Sequence, residues 1–282
     1  LSAATLMGAN LPRLVAPVFV LQSLAANLCG MIVPFGNPQN LYLYSYYGLG
    51  LGDFLTAMAL PFALSTAGIV ACTWWLCGQS NGSCGRDDTR SLAVPMPLSR
   101  RRLAIYGTLV ALTLLAVFRI VPVAAAVAVV AAALAALDRR ALAAVDWGLL
   151  ATFACFFVFA GNLARVPEVS AWLSPLMADH GLLVSAGLSQ IISNVPAAVL
   201  LSHFTGAWQP LLVGVNIGGA GTLVGSLASL ITLQHFTSVR KIFPRATALP
   251  ELSTGRFLAL FSVLNFGFLA ILLIACGMAS SF

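Results

Sequence analysis

The sequence predicts an all-α polytopic membrane protein, built as an inverted repeat with two broken helices and at least one re-entrant hairpin. Three observations carry this. Apolar runs of about 20 residues, the length that crosses a bilayer, recur from end to end of the 282 residues. Hydrophobic residues make up 60% and charged residues only 8%, with a mean hydropathy of +0.97, where a soluble domain carries about 25% charged residues. Helix-breaking residues nevertheless interrupt the apolar sequence at PFGNPQN, SNVP and NIGGAGT.

Taken in order, 1–282 reads as a single membrane domain. Residues 14–50 form a first broken helix, interrupted at Pro34–Asn40. Residues 54–77 form an uninterrupted span, with Trp74 and Trp75 anchoring it at the interface. The polar stretch 78–102, with five arginines, is a cytoplasmic loop. Residues 103–137 are too long for one ordinary span and carry Arg119 and Pro122 near the middle, so they read as two short spans with a tight turn between them. Asp138, Arg139 and Arg140 close the second. Residues 147–165 make the next span, and VPEVSAWLSPLM lies at the interface. Residues 181–204 are broken at Ser193-Asn194-Val195-Pro196 into two arms, each too short to cross, which makes them a re-entrant hairpin. The glycine-rich 209–233 is a second broken helix and 257–276 the last span. With 78–102 inside, all of the 14 basic residues except Arg119 and Arg165 fall on the cytoplasmic side, the bias that sets orientation.

Aligning Asn27 with Asn216 brings Gly30 onto Gly219, Gly36 onto Gly225, Asn37 onto Ser226 and Leu41 onto Leu230. The two copies run in opposite directions across the predicted membrane, as an inverted-repeat transporter requires. Irregular backbone at membrane depth is tolerated only where protein buries it or it lines a cavity. A break frees carbonyls, which suit a small cation, and half-helix N-termini, which suit an anion. Asn37, Gln39, Asn40, Ser193, Asn194, Asn216, Thr222, Ser226 and Ser229 add neutral oxygens and amides. The candidate substrate- or ion-binding residues are Gly36, Asn37, Pro38, Asn40, Ser193, Asn194, Pro196, Asn216, Gly221, Thr222, Gly225 and Ser226.

Other chemistries are set aside on residue grounds. The net charge of +6 comes from short loops and is no nucleic-acid signature. The six cysteines form no CxxC and read as small packing residues. Asp53 and Asp146 start spans and read as N-caps; no Asp, Glu or Lys falls mid-span, which counts against a carboxylate proton relay. His203, near the outer end of the 181–204 segment, is the histidine placed to serve proton coupling. Ser226 after Gly225 could be cast as the nucleophile of a membrane hydrolase, but its only plausible base is His203, in another element, and no oxyanion motif stands out. Asn162 either bonds a neighbouring helix or lines the path, and Asn81-Gly82-Ser83 is a chance glycosylation match in a cytoplasmic loop.

GNPQNLYLYS, VDWGLLATFACFFVFAGNL, SQIISNVPAAVLL and NIGGAGTLVGSLASL, in this order, resemble the ion transporter superfamily of arsenite permeases, sodium–proton antiporters, and citrate and dicarboxylate transporters. The resemblance implies an elevator-type secondary transporter in the cell's inner membrane, usually a homodimer; the absence of mid-span acids, with neutral amides and hydroxyls at the breaks, points to a small anion or oxyanion as its substrate. A carboxylate such as citrate or a dicarboxylate is the first expectation, with sodium or protons as the coupling ion. Arsenite efflux or sodium–proton antiport are the alternatives, and an inactive truncated permease acting as a scaffold is the alternative of another class. The resemblance places a sodium ion at Ser193, Asn194, Ala220 and Thr222, and implies no other cofactor. It also implies scaffold helices and a first hairpin ahead of Leu11, so the sequence is expected to be a fragment or a shortened member.

Overall fold

A computed structural model describes residues 12–79, 99–242 and 252–279. Every regular element among the described residues is a helix. We number the helices α1 (Val15–Leu24), α2 (Pro38–Tyr46), α3 (Leu51–Gln79), α4 (Arg100–Val117), α5 (Val123–Leu137), α6 (Arg139–Ala143), α7 (Trp147–Leu163), α8 (Pro167–Ile192), α9 (Asn194–Leu201), α10 (Trp208–Ile217), α11 (Leu227–Ile242) and α12 (Thr254–Ala279). They form two compact units, one of residues 1–92 with 156–282 and one of residues 93–155. Among the described residues, three stretches are long and apolar enough to cross a membrane by themselves: Val15–Ile32, Leu51–Leu76 and Thr254–Ala279. The pair Trp147–Leu163 and Pro167–Ile192 passes only together and is bent by 98°. The protein is an all-helical membrane protein with several apolar spans.

The first break follows from its prolines. Helix α1 loosens into a π turn at Ala25–Cys29 and tightens into a 3-10 turn at Gly30–Ile32. A residue before proline is driven out of the helical region. Val33 before Pro34 (φ −119°, ψ 146°) and Asn37 before Pro38 (φ −138°, ψ 147°) are both extended. Pro38 then opens α2 at the first helical position, where its missing N–H costs nothing. The second break uses glycine instead: α10 ends at Ile217, and Gly221 takes φ +117°, a region closed to side chains.

Residues 103–137 divide into α4 and α5 around residues 118–122, with Arg119 in the left-handed region at φ 60°. Helix α8 includes the interfacial stretch of the sequence reading and the first hairpin arm in one element, bent at His180 (φ −134°, ψ 32°). Asp146 does cap α7, accepting from the Leu149 N–H at 2.9 Å. Asp53 does not fit the N-cap expectation: α3 begins at Leu51, so Asp53 lies inside its first turn, where a carboxylate still meets the positive helix end. The sequon at Asn81, most of the 78–102 loop and Arg245 lie outside the described residues.

The core of the larger unit is largely apolar, with Phe54, Phe236, Phe257 and Phe261 fully buried. Helix α10 packs against the hairpin arm of α8 through small residues. A Cβ on Gly214 would meet the Ser185 Cβ at 2.6 Å, and one on Gly218 the Ser189 Cβ at 2.7 Å. This seam of Ser185, Ser189, Gly214 and Gly218 brings the backbones close, the usual solution for helices in lipid.

Candidate functional site

The tip of the hairpin expected from the sequence falls on a single residue. Ser193 separates α8 from α9 at φ 76°, ψ 154°, a conformation that costs a non-glycine residue about 1–3 kcal/mol. The tip is held against the second break: the Asn194 N–H donates to the Gly225 carbonyl at 3.0 Å. The Ser193 hydroxyl reaches both Asn194 Oδ1 and the Gly225 carbonyl at 3.5 Å.

The two breaks are bonded to each other. Asn27 Nδ2 donates to the Gly219 carbonyl at 3.2 Å, and Asn27 Oδ1 accepts from the Ser226 hydroxyl at 2.5 Å. Asn37 Nδ2 donates to the Asn27 carbonyl at 3.0 Å. Asn216 Nδ2 donates to Asn40 Oδ1 at 2.6 Å, while Asn216 Oδ1 accepts from Gln39 Nε2 at 3.2 Å. Asn40 Nδ2 completes the chain to the Met31 carbonyl at 3.1 Å. Ser23 and Ser229 pair their hydroxyls at 3.4 Å. Among the described residues, every buried polar side chain is neutral. Burial of an amide is tolerable only with its partners in place, and in this network they are.

The backbone repeats at the two breaks in the same alignment as the sequence. The Gly36 N–H bonds the Val33 carbonyl at 3.0 Å and the Gly225 N–H the Thr222 carbonyl at 3.2 Å. The Asn40 N–H bonds the Asn37 carbonyl at 3.1 Å and the Ser229 N–H the Ser226 carbonyl at 3.1 Å. A Cβ on Gly36 would sit 2.0 Å from the Gly30 carbonyl oxygen, and one on Gly225 3.0 Å from that of Gly218, a similar close approach one residue out of that alignment.

Gln190 was not among the sequence candidates, yet it clasps the second break. Its Nε2 lies 2.8 Å from the Gly218 carbonyl and 3.0 Å from that of Ala220, and its Oε1 accepts from the Thr222 N–H at 2.8 Å. The Thr222 hydroxyl donates to the Gln190 carbonyl at 2.8 Å and accepts from the Gly225 N–H at 3.0 Å. Of the proposed sodium ligands, Ser193 and Asn194 therefore present oxygens at the tip beside the Gly225 carbonyl, whereas Ala220 and Thr222 are engaged by Gln190. Neutral oxygens are the right donor class for a hard cation, so the tip fits sodium in kind and the clasp side does so only if Gln190 shares its partners. Pro196 is buried in α9. The remaining candidates, Gly36, Asn37, Pro38, Asn40, Asn216, Gly221, Gly225 and Ser226, lie at or beside the two breaks. Ser226 is buried and turned to Asn27 rather than to a base, while the His203 ring faces Tyr46, Nδ1 to hydroxyl 3.4 Å.

Residues 3–214 match the family model CitMHS, described as a citrate transporter. The chain is 32% identical over 221 residues to the inner membrane protein YbiR of Escherichia coli and 34% identical over 218 residues to the uncharacterized transporter MJ0456 of Methanocaldococcus jannaschii. Each alignment covers 77% of this chain, but 58% and 57% of those relatives. The uncharacterized transporter Rv2685 of Mycobacterium tuberculosis is 28% identical over 256 residues, 79% of this chain and 59% of that protein. The chain thus spans a little under three fifths of the length of these relatives. No solved structure matches it. The family is one of transporters, not of enzymes. With its broken apolar helices and neutral buried network, the chain belongs to the citrate transporter family CitMHS.

Proposed function

We propose that the protein carries out secondary active transport of a small anion, with a carboxylate such as citrate or a dicarboxylate as substrate and a sodium or proton gradient as the driving force. The observation that carries this reading is the bonding of the two breaks and the hairpin tip into one buried, uncharged polar network. Amides and half-helix ends can solvate an ion without a fixed countercharge that would hold it too tightly to release. The matching backbone bonds at the two breaks support an inverted repeat, and the residues that would touch solute are Asn37, Asn40, Ser193, Asn194, Asn216, Thr222 and Ser226. Gly36, Pro38, Pro196, Gly221 and Gly225 would shape the backbone around them. The tip, Ser193 with Asn194, would hold a coupling sodium ion, which would supply positive charge beside the anion. The E. coli relative's name supports placement in the inner membrane. A homodimer follows from the family resemblance alone.

The test is uptake of labelled citrate into proteoliposomes under an imposed inward sodium or proton gradient. Accumulation that collapses without the gradient supports the reading. A sodium-driven change of internal pH without citrate uptake would favour antiport, and neither activity would favour a scaffold.

A further inference from the structure

We propose that the cleft between α4 and α5, at their arginine-bearing end, binds an anionic phospholipid. The cleft lies wholly in the smaller unit, encloses about 320 Å³, and is lined at one end by Ser99, Arg101 and Arg102 from the start of α4 and by Asp138 from the end of α5. Its inner wall is apolar, from Ile105 and Leu109 on one helix and Leu134 and Leu137 on the other. A charged mouth above an apolar wall has the polarity of one lipid molecule, headgroup phosphate outward and acyl chain inward.

The charge balance selects an anion. Two arginines line the cleft against one carboxylate. That carboxylate accepts from uncharged donors, the Tyr106 hydroxyl at Oδ2 (2.5 Å) and the Ala141 N–H at Oδ1 (3.1 Å), and its charge faces Arg102, so it offsets one arginine and leaves one positive charge over. Guanidinium groups bind phosphate oxygens in pairs, and basic pockets between membrane helices are a recurrent seat for anionic headgroups. Arg100, Arg139 and Arg140 stand exposed at the same end and add to the field. Outside the cleft, both helices present apolar side chains outward, Leu103, Val110, Val123 and Val127 among them, each more than half exposed. The surroundings of the cleft thus suit acyl chains rather than water, which separates a lipid from a soluble phosphate.

The test is native mass spectrometry of the full chain released from detergent with dioleoyl phosphatidylglycerol, dioleoyl phosphatidylcholine or inorganic phosphate added. Phosphatidylglycerol adducts should exceed phosphatidylcholine adducts about tenfold, and Arg101→Gln with Arg102→Gln should remove about that margin. Arg165→Gln, on the exposed α7–α8 turn, should leave the occupancy unchanged. Leu134→Trp, which fills the apolar wall, should also lower it; Ile105→Phe replaces it if the Trp variant melts early. Equal binding of phosphatidylcholine, displacement by inorganic phosphate at comparable concentration, or full binding by the arginine double variant would each overturn the proposal. So would undiminished binding by the wall variants, which would reduce the effect to diffuse surface charge.

Discussion

The Ser226 hydroxyl lies 2.5 Å from Asn27 Oδ1, across 199 residues of sequence. The bond ties the unwound end of α1 to the start of α11, and Asn27 Nδ2 extends the tie to the Gly219 carbonyl. A buried amide that loses one partner suffers the desolvation of the group left behind, about 1–3 kcal/mol. Asn27→Ala and Ser226→Ala should each lower the melting temperature of the purified chain. The double variant should cost less than the sum, with a coupling of about 1 kcal/mol, the range seen for polar pairs between membrane helices. Strict additivity in a double-mutant cycle would mean that the two side chains do not interact.

Glycine is required at the breaks for two different reasons. A methyl on Gly36 would be driven into the Gly30 carbonyl oxygen, and one on Gly221 would meet Gln190 Oε1 at 2.2 Å from a backbone with φ +117°. Gly36→Ala and Gly221→Ala should sharply reduce the yield of monodisperse protein on size exclusion. Gly52→Ala and Gly187→Ala, where the added carbon meets nothing within 4 Å, should not. Equal yields for all four would show the breaks to be open rather than close-packed.

Gln190 serves as a positioning residue for the second break. Gln190→Glu keeps the acceptor for the Thr222 N–H but turns a second oxygen toward the Gly218 and Ala220 carbonyls. The substitution should weaken citrate or cation binding by about tenfold, a loss of about 1.4 kcal/mol, through movement of Thr222 and the freed carbonyls. Isothermal titration is the readout, with the melting temperature as a check on folding.

The smaller unit should show an acid limb of its own. The Tyr106 hydroxyl, then the Ala141 N–H, hold the Asp138 carboxyl below its ordinary range. A lowered folded-state pKa contributes stability that is present above the unfolded value, about 3.9, and is lost as pH falls through the folded one. The melting temperature of the chain should therefore exceed that of Asp138→Asn at neutral pH, and the gap should narrow progressively as pH falls below about 4. A gap that stays constant to pH 3 would remove the carboxylate from the account.

How much of this was legible in the sequence depends on how local the cause is. Pro34 and Pro38 force the first break by geometry that any chain with those residues shares, and the glycines around Ala220 announce the second. The match of Asn27 to Asn216 could be read because both sit at the same distance from their glycines. Gln190 could not: within SAGLSQII it is one polar residue on a helix arm, and its partners are backbone carbonyls with no side-chain signal. The seam of Ser185 and Ser189 against Gly214 and Gly218 was hidden for the same reason, since each half looks like ordinary small residues until the other is beside it. A search for polar residues within one turn of the Ser193 tip would have found Gln190.

The most direct test of the central claim, that the tip and the two breaks form one solute site, is the melting temperature of the chain titrated with citrate in sodium or potassium buffer. A ligand that binds only the folded state raises the melting temperature with concentration. The account predicts a saturating rise with citrate in the parent chain, larger in sodium, and its loss in both Asn194→Ala at the tip and Asn40→Ala at the first break. No rise at saturating citrate, or a rise retained in both variants, would contradict it.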